Sequence, residues 1–293
     1  MTVAAVVLLW AMTLPAAAAG AGPVRQVRDG AGRLVTVPAS PARIVSMAPS
    51  VTEILFAVGA GDRVVGVSDH CNDPPEARSR RRIGGLINPD LETIASLRPD
   101  LVVATTAGNY LDDAERIERL GIPVFTLGSR SLEDVLSSLE EAGRLVGAPQ
   151  RGASLASSLR GRIGAARAQA SGRPRPRTLF VIEPDPLIAP GRGTFVGEAL
   201  EAAGADLVGS TGSSGWNQYD REQVLAMRPE VILTTEANAA WARGLAGAKE
   251  WRLVPAVRAG RVHVISDAIQ RPGPRMVDGI EEVARILGGD HER

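Results

Sequence analysis

The sequence contains one short pattern twice, at a fixed distance of 130 residues. The first copy, LETIASLRPDLVVATT, begins at residue 91, and the second, REQVLAMRPEVILTT, begins at residue 221. In each copy a helix-like segment leads into an Arg-Pro pair and an apolar run, which predicts a helix, a turn and a buried strand. The identical positions are Glu92 and Glu222, Arg98 and Arg228, Pro99 and Pro229, and Thr105 and Thr235. We therefore expect two similar lobes.

The similarity between the two halves extends beyond this pattern. Residues 50–66 (SVTEILFAVGAGDRVVG) are similar to residues 194–209 (TFVGEALEAAGADLVG), and Glu53 matches Glu198. In the first half, the spacing of Ser50 and Glu53 predicts a capping box at the start of a helix. Strand-like and helix-like segments alternate in both halves, which is typical of parallel βαβ units. The predicted fold class is α/β, with two pseudo-symmetric lobes that contain parallel sheets.

The segment between the two halves differs from both. Residues 149–172 are rich in Ala, Leu and Arg, have apolar residues near helical spacing and carry no strand signal. We predict one long helix that joins an N-terminal lobe, residues 23–148, to a C-terminal lobe, residues 173–293. Facing lobes would form a cleft, because ligands of open α/β sheets bind beyond the carboxyl ends of the strands. The alternative is a helix packed within one larger domain.

The first 22 residues predict export. They contain an apolar stretch from Val3 to Leu14 followed by small residues, as in a signal peptide cleaved near residues 17–19 or just beyond. A single membrane anchor is the alternative, and the apolar stretch is short for a comfortable span. We expect a periplasmic or other extracytoplasmic mature chain without a membrane-inserted segment. Cys71 is the only cysteine, so an intrachain disulfide is excluded.

The charge balance and the lack of catalytic motifs favour a binding protein. The 33 basic and 33 acidic residues do not favour nucleic acid as a partner. The sequence has no phosphate-binding loop, GxSxG, HExxH or paired CxxC motif. His70 and Cys71 are adjacent, but no further ligand accompanies them, so no metal site is predicted. A periplasmic hydrolase using Asp73, Glu183 or Asp185 is an alternative, as is a structural adaptor.

Large or polar side chains occupy the loops near the predicted strand ends, where the cleft would lie. Trp216 is distinctive among them, because aromatic residues form only 3% of the chain and it lies in the polar segment GSSGWNQYD. A loop tryptophan can instead fill a gap in the core. The candidate ligand-binding residues are His70, Leu86, Asn109, Pro184, Trp216, Asp267 and Arg271.

Three segments of the chain resemble the periplasmic binding proteins for cobalamin, haem and ferric siderophores that serve ABC importers. They are RIVSMAPSVTEILFAVGAGDRVVGVSDHCNDPPEA, IGGLINPDLETIASLRPDLVVAT and WNQYDREQVLAMRPEVILTT. The segments SDHCNDPPEA and GGLINPDLE are most similar to the cobalamin-binding branch. The resemblance implies two α/β lobes bridged by a helical strut, a shallow cleft with small closure movements, and no enzymatic activity. It also implies a monomer that delivers cobalamin, its transported ligand, to a permease dimer with its ATPase, and that needs no cofactor.

The resemblance implies a role for five of the candidate cleft residues. His70 lies where an aromatic residue lines the corrin site, and Leu86 lies where another aromatic residue often occurs. Trp216 matches a tryptophan of the cleft. Asp267 and Arg271 match polar groups that face the corrin side chains. We expect His70 to pack against the cargo rather than to coordinate its metal.

The resemblance also implies a docking role and leaves other cargoes open. Glu92 and Glu222 match the two acidic residues that dock onto permease arginines. A haem-binding protein would need an axial ligand on the cleft wall, which His70 would supply. A siderophore-binding protein usually uses several Arg or Tyr groups, and the tyrosines of this chain are Tyr110 and Tyr219.

Overall fold

A computed structural model describes residues 22–209 and 215–289 of the chain. The predicted signal peptide lies outside these ranges except for its last residue, Gly22. The first described elements form a two-stranded ribbon, in which strands β1 (Val24–Arg28) and β2 (Leu34–Pro38) pair in antiparallel fashion. The Asp29 carboxylate closes the turn between them, because it accepts hydrogen bonds from the backbone N–H groups of Ala31 and Arg33.

The first half of the chain forms a parallel sheet covered by helices. Its strands are β3 (Ile44–Ser46), β4 (Val64–Val67), β5 (Arg81–Arg82), β6 (Leu101–Thr105) and β7 (Val124–Leu127). The strand order is β5-β4-β3-β6-β7. Its helices are α1 (Pro49–Ala57), α2 (Leu91–Ser96), α3 (Leu111–Glu118) and α4 (Leu132–Leu145), with 3₁₀ turns at Gly61–Arg63 and Pro75–Ser79. The central strands are buried and apolar, as expected for a sheet covered on both faces.

After the long helix α5 (Pro149–Ala170), the second half repeats this architecture with additions. Its strands are β8 (Arg177–Val181), β9 (Glu183–Pro184), β10 (Leu187–Pro190), β11 (Asp206–Leu207), β12 (Trp216–Tyr219), β13 (Val231–Thr235) and β14 (Val262–Ile265). A parallel sheet has the order β11-β8-β13-β14, and β12-β10-β9 form a small antiparallel sheet.

The helices of the second half follow the same alternation with strands. They are α6 (Phe195–Ala202), α7 (Arg221–Met227), α8 (Ala239–Gly244), α9 (Pro255–Arg258) and α10 (Met276–Gly289), with 3₁₀ turns at Glu236–Asn238, Lys249–Trp251 and Asp267–Gln270. Within the described part of the chain, no helix combines the length and hydropathy needed to cross a membrane.

The repeated Arg-Pro pair ends a helix in the same way in both halves. Arg98 lies just after α2 with a φ of 46°, and Arg228 lies just after α7 with a φ of 47°. Both residues are therefore in the left-handed conformation that commonly ends a helix. The proline that follows each arginine cannot continue the helix, so the chain turns into the next strand.

The acidic residue after each Arg-Pro pair fastens that turn to the first strand of its sheet. Asp100 accepts hydrogen bonds from the backbone N–H groups of Ala42 and Arg43, at 2.7 and 2.9 Å, just before β3. Glu230 accepts one at 2.9 Å from the backbone N–H of Arg177, the first residue of β8. The Arg-Pro-acid part of the repeat is thus explained by the fold.

The long helix α5 packs closely against α4. A Cβ atom at Gly152 would lie 2.5 Å from the carbonyl oxygen of Leu139, so only glycine permits this approach. The facing position on α4, Gly143, is under the same constraint, because a Cβ there would lie 2.9 Å from the Cα of Gly152.

Two neighbouring arginines of α5 connect this helix to both halves of the chain. Arg160 forms ion pairs with α4, and Arg162 forms ion pairs with α10; their partners are Glu133 and Glu140 for Arg160, and Asp278 and Glu281 for Arg162. The pairs are partly exposed, so each contributes little to stability, but together they fix the orientation of the helix.

Candidate functional site

The candidate residues follow the carboxyl ends of parallel strands in both halves. His70 comes after β4, Leu86 after β5 and Asn109 after β6 in the first sheet. In the second sheet, Pro184 comes after β8 and Asp267 after β14. These are the edges at which open α/β sheets bind ligands.

Arg271 joins the two strand-end regions to each other. Its guanidinium donates to the Asp267 carboxylate, with Nη2 2.6 Å from Oδ2, within the second half. In the first half it donates to Oε1 of Glu53 at 3.2 Å and to Oδ1 of Asn72 at 3.1 Å. The side chain of Arg271 is only 15% exposed. The structure therefore brings Asp267 and Arg271 together, as parts of an ion-pair network between the two halves.

The predicted capping box at the start of α1 is wrong. The helix begins at Pro49 and its N-cap residue, Ala48, makes no side-chain capping bond. The side chain of Glu53 points instead toward Arg271 and Arg275. Nη1 of Arg275 lies 3.7 Å from Oε1 of Glu53. The residue is 4% exposed, and this burial raises the pKa of the Glu53 carboxyl to about 7 although both arginines act in the opposite direction.

The matching glutamate of the second half also reaches across to the first. Oε2 of Glu198 accepts a hydrogen bond at 2.7 Å from the backbone N–H of Leu132, the first residue of α4. Glu53 and Asn72 were not among the residues predicted for the site. The sequence signal that could have identified Glu53 is its repetition as Glu198 in the second copy. Neither glutamate is needed to cap its helix, since Thr194 accepts the capping bond of α6.

Asn109 has a structural role in this arrangement. Its side-chain N–H groups donate to the backbone carbonyl oxygens of Leu86 at 2.9 Å and Met47 at 3.3 Å. Its side-chain oxygen accepts from the backbone N–H of Thr105 at 3.1 Å. The amide thus connects the ends of β3 and β6 to the loop after β5.

We expect Asn109→Ala to lower the free energy of unfolding by about 1–3 kcal/mol, because partly buried backbone groups lose their partners. Chemical denaturation would measure the change. Asn109→Asp is the matched variant: it keeps the acceptor for Thr105 and loses both donors, so we expect it to be destabilising as well. Unchanged stability in both variants would contradict the structural role.

Trp216 is a surface residue. It begins β12, pairs in register with Pro190 of β10 and remains 52% exposed. The alternative of a core-filling role is therefore wrong. His70 is also exposed, whereas Leu86 is half-buried against a hydrophobic core to which both halves of the chain contribute.

The carboxylates named for a hydrolase do not form a catalytic pair. Glu183 and Asp185 are exposed, on β9 and just after it. Asp73 lies 3.7 Å from the Nε atom of Arg275. The buried carboxylate at this junction, Glu53, is held by arginine rather than by a second acid, so the arrangement does not match two carboxylates with separate acid and base roles.

Glu92 and Glu222 occupy equivalent places in the first turns of α2 and α7. The helices are capped by other residues, because Asp90 accepts from the backbone N–H of Thr93, and Asp220 from that of Gln223. Both glutamates are exposed. Capping therefore does not account for either of them.

The model for the periplasmic binding protein family matches residues 44–268. The chain belongs to this family. It is a periplasmic solute-binding protein of the kind that serves ABC transporters, and the family consists of binding proteins rather than enzymes. The Bacillus subtilis (strain 168) substrate-binding lipoprotein YvrC of an uncharacterized ABC transporter is 30% identical over 272 residues, which cover 90% of this chain and 85% of the relative.

Other members of the periplasmic binding protein family with a stated ligand are similar to this chain. The vitamin B12-binding protein of Vibrio parahaemolyticus is 29% identical over 82% of this chain and 87% of its own length. The structure of the periplasmic vitamin B12 binding protein BtuF of Vibrio cholerae has a TM-score of 0.75 at 27% identity, covering 86% of this chain and 99% of that one. The structure of the periplasmic heme-binding protein RhuT of Roseiflexus sp. RS-1 has a TM-score of 0.76 at 28% identity, covering 84% of this chain and 98% of that one. The predicted α/β fold is confirmed.

Proposed function

We propose that this chain binds cobalamin in the cleft between its two halves and delivers it to the permease of an ABC importer. The exposed indole of Trp216 carries the proposal, because it is a large aromatic surface on β12, in the small sheet whose strands β9 and β10 directly follow β8. The vitamin B12-binding proteins among its relatives support the choice of a corrinoid. In this role the protein acts outside the cytoplasm after removal of the signal segment.

Each candidate residue has a different part in the proposed site. Trp216 and His70 provide exposed ring surfaces for the apolar faces of the corrinoid, and Leu86 and Pro184 add apolar contacts. Asp267 and Arg271 face its polar side chains. Asn109 contributes by holding the loop of Leu86 in place rather than by direct contact, which changes its predicted role.

We expect Trp216→Ala to weaken cyanocobalamin binding by about 1–3 kcal/mol, the usual loss for an aromatic anchor at a binding surface. Isothermal titration calorimetry would measure the affinity and the expected ratio of one cobalamin per chain. Leu253→Ala is the matched control, because Leu253 is also a large exposed apolar side chain, at 74%, and lies outside the proposed cleft. Equal affinity for both variants would exclude a role for Trp216.

Haem is the second candidate cargo. The imidazole of His70 is exposed in the loop after β4, at the carboxyl edge of the first sheet, and the chain is similar to a heme-binding protein. The visible spectrum of the protein mixed with each cargo separates the two proposals. With cobalamin we expect His70→Phe to leave the spectrum of the bound corrinoid unchanged. Tight binding of haem, no binding of cobalamin and loss of the haem spectrum in His70→Phe would favour the second candidate.

A further inference from the structure

Glu53 lies where a loop of the second half closes over helix α1 of the first. The backbone of Gly273 packs against α1, because a Cβ atom there would be in ordinary van der Waals contact, 3.4 Å from the Ser50 carbonyl oxygen and 3.6 Å from Oε2 of Glu53. This loop runs between Arg271 and Arg275, the two arginines that face the carboxylate. The side chain of Glu53 is 3% exposed as a result.

The charges around Glu53 come from both halves of the chain. Arg271 and Arg275 lie 3.2 and 3.7 Å from Oε1. Each arginine also has a second carboxylate partner. Nη2 of Arg271 lies 2.6 Å from Oδ2 of Asp267, and Nε of Arg275 lies 3.7 Å from Oδ2 of Asp73. When Glu53 is ionised, Arg271 is shared by two carboxylates, and when Glu53 is protonated, Arg271 is balanced by Asp267.

A proton can reach Glu53 without unfolding of the chain. Oε2 of Glu53 is buried and has no hydrogen-bond partner among residues 22–209 and 215–289. Glu53 lines a cavity of about 650 Å³ that is also bordered by Asp73, Arg80, Arg151 and Arg275. Burial raises the pKa of the Glu53 carboxyl to about 7, so its charge changes within the ordinary range of pH.

We propose that Glu53 is a positioning residue that orients Arg271 toward the cleft and, through its protonation state, sets how strongly the cleft attracts anionic cargo. The inference rests on the proposed function, since Arg271 acts on cargo only when the cleft holds it. Ionised Glu53 adds a second carboxylate charge beside Arg271, which is already paired with Asp267, and therefore weakens the attraction of the cleft for a cargo carboxylate. Protonated Glu53 removes that negative charge, so the cargo carboxylate is bound more tightly, and a neutral amide on the cargo responds little to the difference.

The test compares cyanocobalamin with its three monocarboxylate isomers, in each of which one peripheral propionamide is hydrolysed. For the wild-type protein we expect the isomer whose carboxylate faces Arg271 to bind about fivefold more tightly at pH 6 than at pH 8, the effect of one unit charge several ångströms away in a partly solvated site. Cyanocobalamin should change by less than about twofold. In Glu53→Gln we expect the extra pH response of that isomer to disappear.

Glu198→Gln is the control, because Glu198 has the matching place in the other half and its carboxylate accepts a bond from the backbone N–H of Leu132; it should keep the wild-type response. The decisive comparison is between wild type and Glu53→Gln at the same pH, not between pH values. The inference is overturned if no isomer responds, or if Glu53→Gln responds as wild type does. If cobalamin does not bind, the proposed function fails, and protohaem, a dicarboxylate, replaces the isomers in the same pH series.

Discussion

Reversal of two charges, Glu92→Arg with Glu222→Arg, is expected to abolish uptake of cargo by the importer while cargo affinity changes by less than about twofold. α2 runs into β6 and α7 into β13, so the first turn of each helix lies at the carboxyl edge of its sheet. Both glutamates therefore lie on the side of the molecule that carries the proposed cleft. A permease dimer would offer two equivalent basic sites, one for each.

The position of these glutamates within their helices makes docking the better explanation. A glutamate in a first helical turn gains about 0.3–1 kcal/mol from the helix dipole, which would favour either residue without any partner. Asp90 and Asp220 already supply the capping bonds, and Glu222 pairs with its exposed neighbour Arg221. Exposed ion pairs are individually weak, but two pairs at a fixed separation would also set the orientation of the binding protein on the permease and increase the rate of their association.

Uptake of labelled cobalamin by cells and affinity by calorimetry would be measured on the same variants. Asp112→Arg with Glu115→Arg is the matched control, because both residues are exposed acids of α3 and their replacement changes the net charge equally. The control should transport normally. Normal transport by the Glu92 and Glu222 variant, or loss of cargo binding in a folded protein, would contradict the docking role.

Elements with a strong local signal could be predicted from the sequence. The long helix was expected over residues 149–172 and spans Pro149–Ala170, because proline begins it and no strand former interrupts it. The buried strand expected after the second Arg-Pro pair is found as Val231–Thr235, since a short apolar run after such a turn favours a strand.

Features that depend on distant partners could not be predicted. The small sheet that carries Trp216 pairs β12 with β10, and its strand WNQY is polar, with no apolar alternation to identify it. Glu53 follows a capping-box spacing, so local reasoning assigned its side chain to its own helix. Its actual partner, Arg271, lies 218 residues further along the chain, and only the fold brings the two together.

Arg271→Met is expected to destabilise the protein in a pH-dependent manner, by about 3 kcal/mol at pH 8 and by about 1 kcal/mol or less at pH 5. In the folded protein the pKa of Glu53 is about 7, above the 4.5 of an unperturbed carboxyl. A raised carboxyl pKa means that the folded state holds the proton more tightly, so stability falls as pH rises from 4.5 through 7. Loss of Arg271 removes an interaction that favours the ionised form and therefore enlarges this fall.

The pH at which each variant is tested decides which contribution is seen. At pH 5 Glu53 is protonated in the folded state, so Arg271→Met loses the contacts of Arg271 with Asp267 and Asn72 and a hydrogen bond to an uncharged carboxyl. At pH 8 the Arg271→Met variant must either bury the Glu53 carboxylate without its main partner or hold Glu53 protonated at a pH where the unfolded chain is ionised. Either state lowers the stability of the folded protein. Adding Glu53→Gln removes the buried charge, so the double variant should recover about 2 kcal/mol at pH 8 and little at pH 5.

Urea denaturation at both pH values would give the four free energies of the double-mutant cycle. Arg162→Met is the control, because it breaks ion pairs with Asp278 and Glu281 in which the side chain of Arg162 is 38% exposed. It should cost less than about 1 kcal/mol, with little difference between pH 5 and pH 8. Equal destabilisation by Arg271→Met at both pH values, or no recovery in the double variant, would show that Glu53 is not the ionisable group that links the two halves.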